Sequence, residues 1–212
     1  MKIELPTLAA PAVTALLVHE VQPNNIDGSD PLAQSATRRL PNMVALVEAA
    51  RTSDIPVLHC IKIFRRDSRA RNRNTPLYRR RGVLPTGPVE PDSTPVDGCH
   101  VHPAFGHDER DLVMTRLHGM SGVTDTGVVP VLRTLGATSV VVIGISLNVG
   151  VTNAAMDLMN QGFEVIVPRD AVAGTPDDYG ESVIDNTLKV IATVTTSQAL
   201  IDVWRSAGQP NR

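Results

Sequence analysis

The chain has 212 residues, 42% of them hydrophobic and 20% charged, with a formal net charge of −2. That is the composition of an ordinary globular protein, long enough for one sizeable domain over residues 1–212. The charge balance predicts neither nucleic acid nor a membrane surface as partner, and no apolar run approaches the roughly 18 residues of a membrane helix.

The N-terminal "MKIELPTLAAPAV" carries Glu4 and two prolines and lacks a continuous apolar stretch, so no signal peptide is expected and the predicted location is cytoplasmic. "VTALLVH" (13–19) is an aliphatic, β-branched run of strand length, as found in strands covered on both faces. Residues 34–51 read as a helix with Leu40, Val44 and Val47 at helical spacing, and Pro41 falls early in it, where a missing N–H costs least. "IPVLHCIKI" (55–63) is the second predicted strand. Cys60 within it is expected to be a small core residue, and His59 a core histidine. Residues 65–110 form a long irregular segment that opens with eight arginines in seventeen residues, "RRDSRARNRNTPLYRRR". Cys99 follows Gly98 in a polar loop and is expected to be exposed. The two cysteines show neither metal-binding nor CxxC spacing. His100, His102 and His107 lie in a loop with Asp108 at no established ligand spacing, so no metal and no cofactor are expected.

"DLVMT" (111–115) is a third strand and residues 124–136 a helix closed by Gly136. "TSVVVIGI" (138–145) is the strongest strand signal in the chain. A helix over about 149–161, the strand "FEVIVP" (163–168), a helix near 178–191, a short "ATVTT" and an amphipathic piece ending at Trp204 complete the order. Alternating β and α segments predict a doubly wound α/β fold with a mostly parallel sheet and helices on both faces. Ligands of such folds bind at the carboxyl ends of strands. The candidate positions are therefore Glu20, the 62–66 region, Arg116 and the turn after Gly144.

No P-loop, GxGxxG, HExxH or GxSxG motif is present. The strand ends, however, carry a resemblance. "TALLVHEVQPNNI" is similar to the ALLVIDxQNDF opening of the isochorismatase-like hydrolases. "DLVMTRLHGMSG" through "GATSVVVIGISLNVGVTNAAMDLMNQGFEVIVPRDAVAG" resembles their second half, with its strand-end lysine, its TxL, its GxxTNxCV turn and its GxxVxVxxDAxA strand. The likeness spans about residues 12–204. It implies an isochorismatase-like fold, assembly as a homodimer or homotetramer, and a non-proline cis peptide at or beside Ile145–Ser146.

The departures bear on chemistry. Amidases of this family use an Asp-Lys-Cys triad with an acyl-enzyme. The matching positions here are Glu20, Arg116 and Gly150. Without a thiol at Gly150 the covalent route is closed, and Arg116, protonated at any working pH, is a poor proton carrier but a good carboxylate clamp. The true isochorismatases also carry Gly at that point and cleave a vinyl ether by protonation and water capture, without a nucleophile. The reading that follows is a non-thiol hydrolase acting on a small, anionic or carboxylated metabolite. Glu20 would be its acid/base, Arg116 its clamp, and the 145–151 turn its oxyanion or carboxylate cradle, with Ser146, Asn148, Val149 and Val151 lining the site. Gln22 belongs to the same region, and Arg79, Arg80 and Arg81 would meet the substrate anion from a lid. The alternative is a catalytically inert member acting as a binding or assembly subunit, its Glu20–Arg116 pair purely structural. Alternation along the first strand sends His19 and Glu20 to opposite sides.

Overall fold

The computed structural model describes residues 3–76 and 90–207. Among the described residues, seven strands form one sheet: β1 (Thr14–His19), β2 (Val57–Lys62), β3 (Leu112–Arg116), β4 (Ser139–Ile145), β5 (Glu164–Pro168), β6 (Val172–Ala173) and β7 (Thr193–Thr195). Their order is β3-β2-β1-β4-β5-β7, with the short β6 on β4, and every pairing is parallel. The predicted α/β architecture is therefore the observed one, and only β6 escaped the sequence pattern, being two residues long.

All six residues of β1 and all seven of β4 are buried, which is why both read as unbroken apolar runs rather than alternating ones. One face packs Leu16, Val18, Val141 and Ile143 against Met43, Leu46 and Val47 of the helix Pro31–Thr52 and against Leu200 and Trp204 of the helix Ser197–Ala207. The other sets Ala15, Leu17, Val140 and Val142 against Leu132, Leu158 and Leu188. Each such aliphatic side chain contributes roughly 1.5–3 kcal/mol by leaving water. Trp204, fully buried, satisfies its indole N–H on the Ala9 carbonyl at 3.0 Å. By contrast β3 lies at the sheet edge, and its side chains are exposed or half-buried except at Arg116.

The first long helix corrects an expectation. It begins at Pro31 behind an Asp30 cap, whose carboxylate accepts from the N–H groups of Leu32 and Ala33 at 2.9 and 3.1 Å. Pro41 thus stands in mid-helix rather than early in it; the capping aspartate and Pro31, well suited to the first turn, start the helix at 31 instead of the expected 34.

The order of strands places the site. The chain leaves β1 for β2 and β3 on one side, then crosses back to β4 on the other, so the carboxyl ends of β1 and β4 flank a topological switch point. Register brings His19 beside Gly144 on one side and Cys60 on the other, and Lys62 beside Arg116. Gly144 is required there: its φ is +112°, and a Cβ would stand 2.2 Å from the His19 carbonyl oxygen.

Candidate active site

Glu20 follows the last residue of β1 with a left-handed φ of 53°, and its N–H still donates to the Cys60 carbonyl at 2.9 Å. This turn takes Glu20 off the strand, so the alternation rule does not govern where its carboxylate goes. The carboxylate accepts a short hydrogen bond from Nη2 of Arg116, and Nη2 also approaches the Met120 carbonyl at 3.4 Å. Arg116 is 8% exposed, and its Nε and Nη1 are buried with no hydrogen-bond partner among the described residues. Two guanidinium donors are therefore left over after the ion pair is made. Buried donors of this kind are costly unless something else accepts from them.

Lys62 ends β2 beside Arg116 and is 1% exposed. Gln22 grips its peptide from both sides: the amide Nε2 donates to the Lys62 carbonyl at 3.0 Å, and Oε1 accepts from its N–H at 2.7 Å. Gln22, expected to meet a ligand, is fully buried and holds the backbone of Lys62. The ammonium Nζ donates to the Gly119 carbonyl at 2.9 Å and lies 5.3 Å from the centre of the Phe64 ring. The Arg71 guanidinium sits 4.8 Å from the same ring, and Asn72 accepts from the Gly119 N–H at 2.6 Å. Burial pulls the Lys62 amine down to about 8, Glu20 opposing the shift while Arg116 and Arg71 add to it.

His19 is fully buried beneath these groups. Its Nδ1 lies 2.5 Å from the Ile145 carbonyl. A carbonyl only accepts, so Nδ1 carries the proton and Nε2 presents a lone pair, for which the described residues offer no partner. Burial is the main reason its pKa is lowered; Glu20 acts the other way, and Arg116 and Lys62 reinforce the lowering. The ring is wedged between two glycines. A Cβ at Gly150 would lie 2.6 Å from Cε1, and one at Gly122 would lie 2.8 Å from Cδ2. Gly150 is thus at the expected place, after β4, but the imidazole occupies the space above it.

The turn after β4 has the expected form. The Ile145–Ser146 peptide is cis, and a π-helical turn Leu147–Val151 runs straight into the helix Thr152–Asn160. Ser146 and Asn148 are half-buried, and Val149 is exposed. The N–H groups of Val149 and Val151 both donate to the Ser146 carbonyl, at 3.1 and 3.0 Å. Val151 is fully buried in the apolar core and lines no surface, a second departure from expectation: its side chain faces the sheet. Arg79, Arg80 and Arg81 lie outside the described residues. Cys99, expected to be exposed, is buried, its Sγ accepting from Asn24 Nδ2 at 3.2 Å and from the Phe64 N–H at 3.4 Å.

Lys62 is the residue that sequence reasoning passed over. The strand-end rule had marked 62–66, but nothing in the pattern separated Lys62 from the arginines that follow. One signal was available: the chain has three lysines, Lys2, Lys62 and Lys189, and only this one terminates an apolar strand.

Comparison with known proteins agrees with the fold. The model of the isochorismatase domain matches residues 14–199. A cysteine hydrolase from Pseudomonas syringae pv. phaseolicola 1448A is similar with 23% identity and a TM-score of 0.78, over 93% of this chain and 94% of the other. An isochorismatase family protein from Burkholderia thailandensis is similar with 21% identity and a TM-score of 0.76, over 92% and 96%. N-carbamoylsarcosine amidase from Thermoplasma acidophilum shares 24% identity at a TM-score of 0.68, over 87% and 96%. No curated protein matches in sequence. No helix among the described residues is long and apolar enough to cross a membrane. With the domain model matching residues 14–199, most of the chain, the chain belongs to the isochorismatase-like hydrolase family.

Proposed function

We propose that this family member hydrolyses a small carboxylated metabolite by acid/base chemistry of the vinyl-ether type, without a thiol nucleophile. The observation that carries the reading is Arg116: paired with Glu20 through one nitrogen, it keeps two further buried donor nitrogens, Nε and Nη1, without an acceptor among the described residues, and a substrate anion would supply one. Lys62 and Arg71 nearby add positive charge, which favours an anionic ligand. Residue 150 has no side chain to attack a carbonyl, and His19 fills the space over it. Glu20 is the acid/base group, and Ser146 and Asn148 border the substrate.

The second reading, an inert binding or assembly subunit, draws on the same Glu20–Arg116 contact, since a buried ion pair can serve structure alone. Turnover separates the two. Pyruvate release from isochorismate, an enolpyruvyl ether, is expected for the native chain, and a loss of about 100-fold or more in kcat for Glu20→Gln with the fold retained. Absence of pyruvate release at any enzyme concentration would favour the inert subunit.

A further inference from the structure

The proposed reaction needs two proton transfers, one to the substrate carbon and one from the attacking water. One carboxylate tied to an arginine serves one of them. We propose that Lys62 is the proton donor of this site and that Glu20, fixed by Arg116, accepts the proton of the water. This rests on the hydrolytic reading above and assigns a second group to it.

The geometry is specific. Lys62 and Arg116 are register partners at the carboxyl ends of adjacent strands, and Arg116 binds Glu20 at the end of β1, on the far side of β2. The Gln22 amide locks the peptide of Lys62 on both sides, Phe64 covers the side chain, and Gly119 accepts from Nζ. The charged groups acting on Nζ come from three elements: Glu20 beyond β1, Arg116 of β3 and Arg71 of the segment after β2, with His19 of β1 itself subject to the Lys62 charge. Arginine does not release its proton at working pH, so of the three cations here only Lys62 can act as an acid. Burial and its cationic neighbours bring its amine to about 8, in the range where an acid is both protonated and willing to donate near neutrality.

The step balances. The ammonium of Lys62 gives a proton to the methylene carbon of an enolpyruvyl ether, and the C=C pair becomes the new C–H bond, leaving an oxocarbenium ion. Water adds to that ion while Glu20 takes the water's proton, and the hemiketal collapses to pyruvate and an alcohol. Lys62 has then lost one proton and Glu20 gained one. Transfer from one to the other through solvent restores both, and one water is consumed.

The test has two arms, both on the full chain. With isochorismate as probe, the donor must be charged, so kcat falls as pH rises through about 8. Lys62→Arg keeps the charge and a hydrogen-bond donor but cannot release a proton; the expected result is a loss of about 100-fold in kcat with the alkaline limb gone and KM little changed. A wild-type rate and an unmoved limb in that variant would overturn the assignment. The second arm needs no turnover. With three lysines in the chain, lysine 13Cε signals can be titrated by NMR and assigned with Lys189→Arg and Lys2→Arg. Lys62 is expected to titrate near 8, and lower still in Glu20→Gln, because Glu20 holds it up. That result supports the assignment whether or not isochorismate is cleaved. Titration of Lys62 together with the other two lysines, near the ordinary value of about 10.4, overturns it even in an enzyme that cleaves the probe.

Discussion

The imidazole of His19 stands where a side chain on Gly150 would begin, so the two positions compete for one volume. A Cβ at 150 would meet Cε1 at 2.6 Å, closer than real contacts allow, and the ring's other edge faces Gly122, where an added Cβ would lie 2.8 Å from Cδ2. Gly150→Ala should therefore destabilise by about 1–3 kcal/mol through overpacking, and adding His19→Ala should recover part of that loss. Urea denaturation of the two single variants and the double one measures the coupling; strict additivity would mean that the volumes do not compete. By the same logic, Gly150→Cys with Glu20→Asp and Arg116→Lys acquires no acyl-enzyme chemistry until His19 is also made small. Mass spectrometry after incubation with an amide substrate reports the adduct.

Glu20 and Arg116 form a pair that is 18% and 6% exposed at the side chains. Removing only the acid leaves a buried guanidinium without its counter-ion. Glu20→Ala is expected to cost about 2–4 kcal/mol, and the double variant Glu20→Ala, Arg116→Met less than that. Chemical denaturation decides: a larger loss in the double variant would mean that Arg116 earns its place by packing rather than by charge.

At the opposite end of the sheet, Asp111 joins three elements. It accepts from Arg51 at 2.6 and 3.3 Å, while His59 Nε2 lies 2.9 Å from its Oδ2. His59 is the core histidine expected from sequence, held by a hydrogen bond to Asp111. Burial works to raise the Asp111 pKa, yet the hydrogen bonds from His59 and Arg51 outweigh it and the net shift is downward. A lowered carboxyl pKa means that the folded state binds its proton less tightly than the unfolded chain. The stabilisation is thus complete above the unfolded value, about 3.9, and is lost as pH falls through the folded one. Asp111→Asn should cost about 2–3 kcal/mol at pH 7 and flatten the acid side of the stability profile, without changing ligand binding at Glu20. Thermal melts across pH 2–7 test it.

Both cysteines should resist a thiol reagent in the native protein. Burial pushes the Cys60 thiol up to about 12, and Cys99 is enclosed and accepts two hydrogen bonds. Absorbance with Ellman's reagent should stay at baseline until denaturant is added, then rise to two equivalents. Fast labelling of one thiol in the folded chain would contradict this packing.

The strands other than β6, the mostly parallel sheet, and the places of Glu20 and Arg116 at strand ends and of Gly150 in the turn after β4 were legible in the sequence. Each depends on a local pattern: unbroken aliphatic runs, turns, and motifs of fixed spacing. Pro41 was misplaced because the helix start depends on a cap, Asp30, that lies outside the periodic stretch. Cys99 was misjudged because a polar loop can still be folded inward, here against Asn24 and Phe64. The relations that define the site are of another kind. Lys62 meets Arg116 only through sheet register, 54 positions apart along the chain. His19 reaches Gly150 only because β1 and β4 pair across a switch point, and Glu20 reaches Arg116 after turning off the strand at a positive φ. Residue type and spacing along the chain decide which groups are available. Their charge state and reach are set by burial and by neighbours from other strands, and those come into being only when the sheet closes.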